Sequence, residues 1–164
     1  MSVRSSRVGA TREVRGVLRW ERFDTVNKPS APALDLRLPA VPGAASRVRR
    51  AVHAVAAGKV VNDYAVALAV SEAVTNVVVH AYRDRDPDDG PGHVHVTVTV
   101  EGDELLVAES DEGTGLTPRP DSPGAGLGLP IIATLADRFE ARQLSKGTMV
   151  LLGFRLAAAP DGTS

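Results

Sequence analysis

The chain of 164 residues contains no cysteine. Disulfides, thiolate metal sites and cysteine nucleophiles are therefore excluded. No apolar run approaches the roughly 20 residues needed to span a bilayer. The N-terminus carries arginines but no apolar h-region, so it does not read as a secretory signal. The common phosphate-binding signatures are also missing. There is no Gly-x4-Gly-Lys-Ser/Thr, and a dinucleotide fingerprint begun at Gly124 would need a glycine where Leu129 stands. Those glycines follow a loop, with no βαβ unit around them. No internal repeat is visible. The expectation is a cytoplasmic protein with no membrane association.

What is present is ordinary for one globular domain: 43% hydrophobic and 24% charged residues. The formal net charge of -1 hides an asymmetry. Residues 1–28 hold seven Lys/Arg and three acids, for +4, while the remaining 12 Lys/Arg and 17 acids leave -5. A basic arm of this kind can meet nucleic acid, a membrane surface or an acidic partner, or simply be solvated. Aromatics are too sparse in it for a stacking platform, and direct nucleic-acid binding is not expected. Val14, Val17, Leu18 and Trp20 could form a short amphipathic segment there. A Pro-rich run from Lys28 to Pro32 marks a linker. The expected organisation is a flexible extension over 1–32, a domain over 33–157 and a tail over 158–164.

Within the domain, leucines at 34, 36 and 38 alternate with polar residues and predict a first strand, stopped by Pro39. Val48, Val52 and Val55 predict a helix over 44–57, ended by Gly58. A second helix is expected from a cap at Asn62 or Asp63 to about Tyr82. His93 to Val100 alternates with period two. A turn at Glu101-Gly-Asp103 returns a strand over 105–108. A short helix over 127–136 and strands over 139–144 and 148–156 complete the order. Hairpins with inserted helices predict an α+β fold: a two-layer sandwich whose mixed, mostly antiparallel sheet carries its helices on one face.

The second helix carries the first chemical signal. Glu72, Asn76 and His80 recur every fourth residue among Ala69, Val70, Ala73, Val74, Val77, Val78 and Val79. Each step of four turns a helix about 40° past a full turn, so the three form one slanting stripe. So apolar a helix is expected to be buried. A buried carboxylate needs a partner. Either a solvated edge or a polar ligand would satisfy the stripe. Asp111, Gly113 and Gly115 follow an apolar strand, where glycines permit close backbone approach and positive φ. A pocketed Asp accepts hydrogen bonds such as an exocyclic amine offers. Gly124, Gly126 and Gly128 open a helix, whose free N–H groups attract phosphate. His93 and His95 share a strand face, without a third ligand at metal spacing.

In this order, Glu72-x3-Asn76, Asp111-x-Gly113-x-Gly115, Gly124-x-Gly126-x-Gly128 and Gly147-Thr148 resemble the Bergerat-fold (GHKL) ATPases, which include DNA gyrase and the histidine kinases. More narrowly, Glu72-Ala-Val-Thr-Asn76, His80-Ala-Tyr82, Asp111-Glu-Gly-Thr-Gly115 and Gly126-Leu-Gly-Leu129 look like the bacterial anti-sigma-factor serine/threonine kinases. The resemblance covers residues 33–157 and implies ATP and Mg²⁺ as cofactors. By it, Asn76 would hold Mg²⁺ and Glu72 would act as general base. Asp111, supported by Thr148, would bind the adenine amine. Gly113 and Gly115 would shape the base pocket. Gly124, Gly126 and Gly128 would form its phosphate side, with His80, Leu127 and Leu129 on the wall. Pro118 to Pro123 would be a lid. It also implies a sigma factor and an antagonist protein, the latter phosphorylated on serine or threonine, as partners, and a homodimer. One departure is visible: kinases of this group often carry an arginine in or just before the second glycine motif, where this chain has Pro123, Gly124 and Ala125, with Arg119 nearest. An ATP-responsive binding module without kinase activity is the alternative.

Overall fold

The computed structural model describes residues 31–114 and 128–158. The N-terminal extension, the segment carrying Gly115, Arg119, Pro118 to Pro123, Gly124, Gly126 and Leu127, and the end of the tail lie outside the described residues.

Five strands form one sheet: β1 (Leu34–Pro39), β2 (His93–Glu101), β3 (Glu104–Asp111), β4 (Arg138–Gln143) and β5 (Thr148–Arg155). Their spatial order is β1-β2-β3-β5-β4, and each pair of neighbours is antiparallel. The mostly antiparallel sheet expected is found, with every pair antiparallel among the described residues. β4 runs in the direction of β3, but β5 is inserted between the two and pairs with both. β1 takes in Pro39 as its last residue, opposite His93. An edge strand leaves that missing N–H harmless.

Helices α1 (Ala44–Ala56) and α2 (Asp63–Asn76) pack on each other, and a third, α3 (Gly128–Leu135), packs against α2. Asn62 caps α2, its Oδ1 accepting from the Ala65 N–H at 3.0 Å. The helix then widens into one π turn, Val77–Ala81. The core is a valine interlock: Val48 and Val52 of α1, Val66, Val70 and Val74 of α2, and Val94, Val96 and Val98 of β2 are fully buried. Each such side chain contributes about 1.5–3 kcal/mol through burial. Alanines 65, 67, 69 and 73 are buried too, and their small size lets α2 be covered from several sides.

Three expectations change here. The helix Asp63–Ala81 is, by length and composition, long and apolar enough to cross a membrane. Half of it is buried inside this fold, as suits a core helix. That helix is not buried all round, because Val79 is 51% exposed. And β3 runs to Asp111 rather than ending at Ala108. Its inward positions are Leu105, Val107, Glu109 and Asp111, so the apolar half of the alternation fades while pairing to both neighbours continues.

Candidate functional site

The far end of β3 meets the far end of α2. Asp111 is the last residue of β3 and is 5% exposed. Its Oδ1 accepts from the Gly113 N–H at 2.7 Å. Thr148, the buried first residue of β5, presents its backbone N–H and its hydroxyl to the same carboxylate. Burial pushes the Asp111 carboxyl up, and these donors oppose the shift. The result is a dry carboxylate held in place by the two strand ends.

Glycine is required at two points of this cradle. A Cβ on Gly113 would stand 2.1 Å from the Ala81 carbonyl oxygen, so the chain after β3 touches the backbone of the π turn. The Thr114 N–H donates to that same oxygen at 2.8 Å. Close approach, not positive φ, is the reason for Gly113, which is absent from the left-handed glycines of the described residues. Gly147 needs both freedoms: φ is +77°, and a Cβ would lie 1.9 Å from the Asp111 carbonyl oxygen.

Tyr82 locks this corner. Its hydroxyl donates to the His93 carbonyl at 2.6 Å and accepts from the Glu112 N–H at 2.9 Å. Gly92 leaves room for the ring, since a Cβ there would meet Tyr82 Cε1 at 2.1 Å. The sequence shows Tyr82 only as part of a motif; its role rests on contacts with residues 92, 93 and 112 that no local pattern records.

Glu72 and Asn76 are half-buried on α2, and His80 is half-buried in the π turn. The stripe therefore faces an accessible side of the helix. The i→i+5 bonding of the last turn also moves His80 off the uniform 40° progression. Gly128 opens α3, and the partly buried Leu129 packs on the core. Gly115, Gly124, Gly126 and Leu127 lie outside the described residues. His95 is paired with Asp35 at 2.8 Å, and no group of three metal-ligating side chains occurs among the described residues.

Glu109 was missed altogether. It lies two residues before Asp111 on the same inward face and is 2% exposed. Its Oε1 has no hydrogen-bond partner. Burial pushes its carboxyl well above the usual range, and the Asp111 charge adds to that. An unsatisfied buried polar atom costs about 1–3 kcal/mol. A Glu at an inward position of a strand was the signal in the sequence.

The donor set suits a purine nucleotide: a buried acceptor for an amine, and a backbone cradle that a Cβ would fill. A divalent cation would find one amide at Asn76 and would need phosphate and water oxygens to complete its shell, which is how magnesium is usually held. Comparison with known proteins identifies the family. A family model described as "Histidine kinase-like ATPase domain" matches residues 38–154. The anti-sigma F factor of Clostridium acetobutylicum is 30% identical over 108 residues, covering 58% of this chain and 72% of the relative. The crystal structure of the RsbU and RsbW domains of Rv1364c from Mycobacterium tuberculosis is similar in fold, with 24% identity, a TM-score of 0.58 and coverage of 78% of this chain. The present chain spans only 32% of that longer one. The fold and the matching family model thus define an ATPase domain of the GHKL class. The chain belongs to the histidine kinase-like ATPase domain family, on its anti-sigma-factor kinase branch.

Proposed function

We propose that this protein is an ATP-binding regulatory serine/threonine kinase that binds a sigma factor and phosphorylates an antagonist of anti-sigma action. The observation that carries the reading is the buried Asp111 carboxylate, braced by Gly113, Gly147 and Thr148 where α2 ends. That helix bears the half-exposed Glu72 and Asn76. The relationship to an anti-sigma F factor supports the regulatory role.

Asp111 accepts from the adenine amine, and Thr148 orients it. Gly113 and Gly115 shape the base site. Gly124, Gly126 and Gly128 offer N–H groups to phosphate, and His80, Leu127 and Leu129 close the wall. Asn76 would hold Mg²⁺, which would supply charge stabilisation to the phosphoryl group of bound ATP. Glu72, one turn before Asn76, takes the proton from the attacking serine or threonine hydroxyl. Phosphoryl transfer depends mainly on positioning and charge stabilisation, so the named groups support ATP binding more strongly than turnover.

The test is intact-mass spectrometry of small antagonist-type domains from the same organism, incubated with this protein, Mg²⁺ and ATP. A gain of one phosphate, absent with Glu72→Ala, is expected. ATP binding by calorimetry without transfer to any candidate would support a second reading, a sequestering module that uses ATP structurally. The arginine-free run Pro123-Gly-Ala125 motivates that alternative.

A further inference from the structure

Among the described residues, two buried carboxylate oxygens lack a partner, Glu109 Oε1 and Glu140 Oε2. Glu140 lies on the edge strand β4, and Arg142 holds its other oxygen. Glu109 has no such relief. It sits in the central strand β3, opposite Val96 on β2 and Val150 on β5, both buried. Val107 precedes it on the same face and Asp111 follows it. Along a strand, residues two apart are about 6.6–6.8 Å apart, so its carboxyl and the Asp111 cradle are neighbours on one floor. Asp111 is the polar group of that inward row, and its carboxylate already receives Gly113 and Thr148.

Like charges on one buried floor disfavour double ionisation. Asp111 has the Gly113 and Thr148 donors that favour its charged form, whereas Glu109 is buried with its Oε1 unpartnered, and burial and the Asp111 charge both push its carboxyl up. A shared proton is thus favoured on Glu109, which would make the pair one acceptor beside one O–H donor. Adenine presents the matching edge: the exocyclic amine donates, and ring N1 beside it accepts. Guanine in the same pose would turn its O6 acceptor toward the Asp111 carboxylate, acceptor against acceptor.

We propose that Glu109 is a specificity-determining residue of the base site, whose carboxyl O–H donates toward adenine N1, directly or through one water, beside the Asp111 acceptor for the amine. This inference rests on the reading of the site as an adenine-nucleotide site, and it explains why an orphaned acid is retained in a valine core.

Calorimetric titration of the full chain with Mg²⁺–ATP and with Mg²⁺–1-deaza-ATP, in which N1 becomes C–H, tests it. Wild type is expected to bind 1-deaza-ATP about tenfold more weakly, the worth of one hydrogen bond. Glu109→Leu is expected to lose about tenfold for ATP and to bind the two ligands equally. Glu109→Gln, whose amide still donates, is expected to keep most of the ATP affinity and the discrimination. Circular dichroism verifies that each variant is folded, and Glu109→Gln carries the test if Glu109→Leu is not. Unchanged ATP affinity in Glu109→Leu, discrimination that persists there, or equal binding of both ligands by wild type would overturn the proposal while leaving the nucleotide reading intact. Folded wild type that binds neither ligand would overturn both.

Discussion

At the scale of single residues, the proposed base site is a set of positions where one atom decides the outcome. Gly147→Ala places a Cβ against the Asp111 backbone at a φ of +77°. The expected loss is about 1–3 kcal/mol of stability, measured by urea denaturation. Gly102→Ala, at φ +60° but facing open space, isolates the backbone part of that penalty and should lose less. Glu72→Ala should lower phosphotransfer at least about 100-fold while ATP affinity stays near wild type. Lost affinity would show instead that Glu72 serves binding. Glu109 makes a pH prediction. Its folded carboxyl holds a proton more tightly than the unfolded chain, whose ordinary value is 4.5. The folded state therefore binds more protons above that pH, and the stability from this group is fully present below it and lost as pH rises toward the raised value. Denaturation midpoints across pH should show this fall, and Glu109→Gln should flatten it. Asp111 shifts in the same direction and contributes a smaller fall.

At the scale of elements, the corner where α2 stops is fastened by Tyr82. Its hydroxyl joins the helix end to β2 through His93 and to the chain after β3 through Glu112. Arg85 lies over its ring and holds the Asp89 and Gly90 carbonyls of the following turn. Tyr82→Phe should cost about 1–2 kcal/mol from two modest hydrogen bonds, read as a lowered melting temperature. The same scale shows what the sequence disclosed. β2 was legible because Val94, Val96 and Val98 alternate cleanly with polar residues. The start of α2 was legible because Asn62 is a capping residue before an apolar run. The end of β3 was not, because Glu109 and Asp111 stand at inward positions normally filled by apolar side chains. That exception hid both a strand end and a buried acid. The π turn left no period of its own, so the displacement of His80 could not be read from four-residue spacing. Gly147 was quoted for its place in a motif, but its need for positive φ belongs to a contact with residue 111 that no local pattern records.

For the molecule as a whole, a site built from strand ends and a helix end should couple ligand binding to global stability. A ligand at 100 times its dissociation constant raises stability by about 2.7 kcal/mol. Mg²⁺–ATP should thus raise the melting temperature of the chain, and Asp111→Asn should abolish most of the rise. A rise of equal size in that variant would place the base elsewhere. The order β1-β2-β3-β5-β4 has a temporal side as well. Asp111 is in place once the first hairpin forms, but Gly147 and Thr148 arrive only with the last strand, after a crossover that also lays down α3 and the edge strand. As a ribosome emits this polypeptide, the Asp111 cradle stays half-built until almost the whole domain has emerged. If that cradle is the proposed base site, nucleotide capture is a late event in the life of a nascent chain, and a fragment released before residue 148 should fail to retain ATP on a filter.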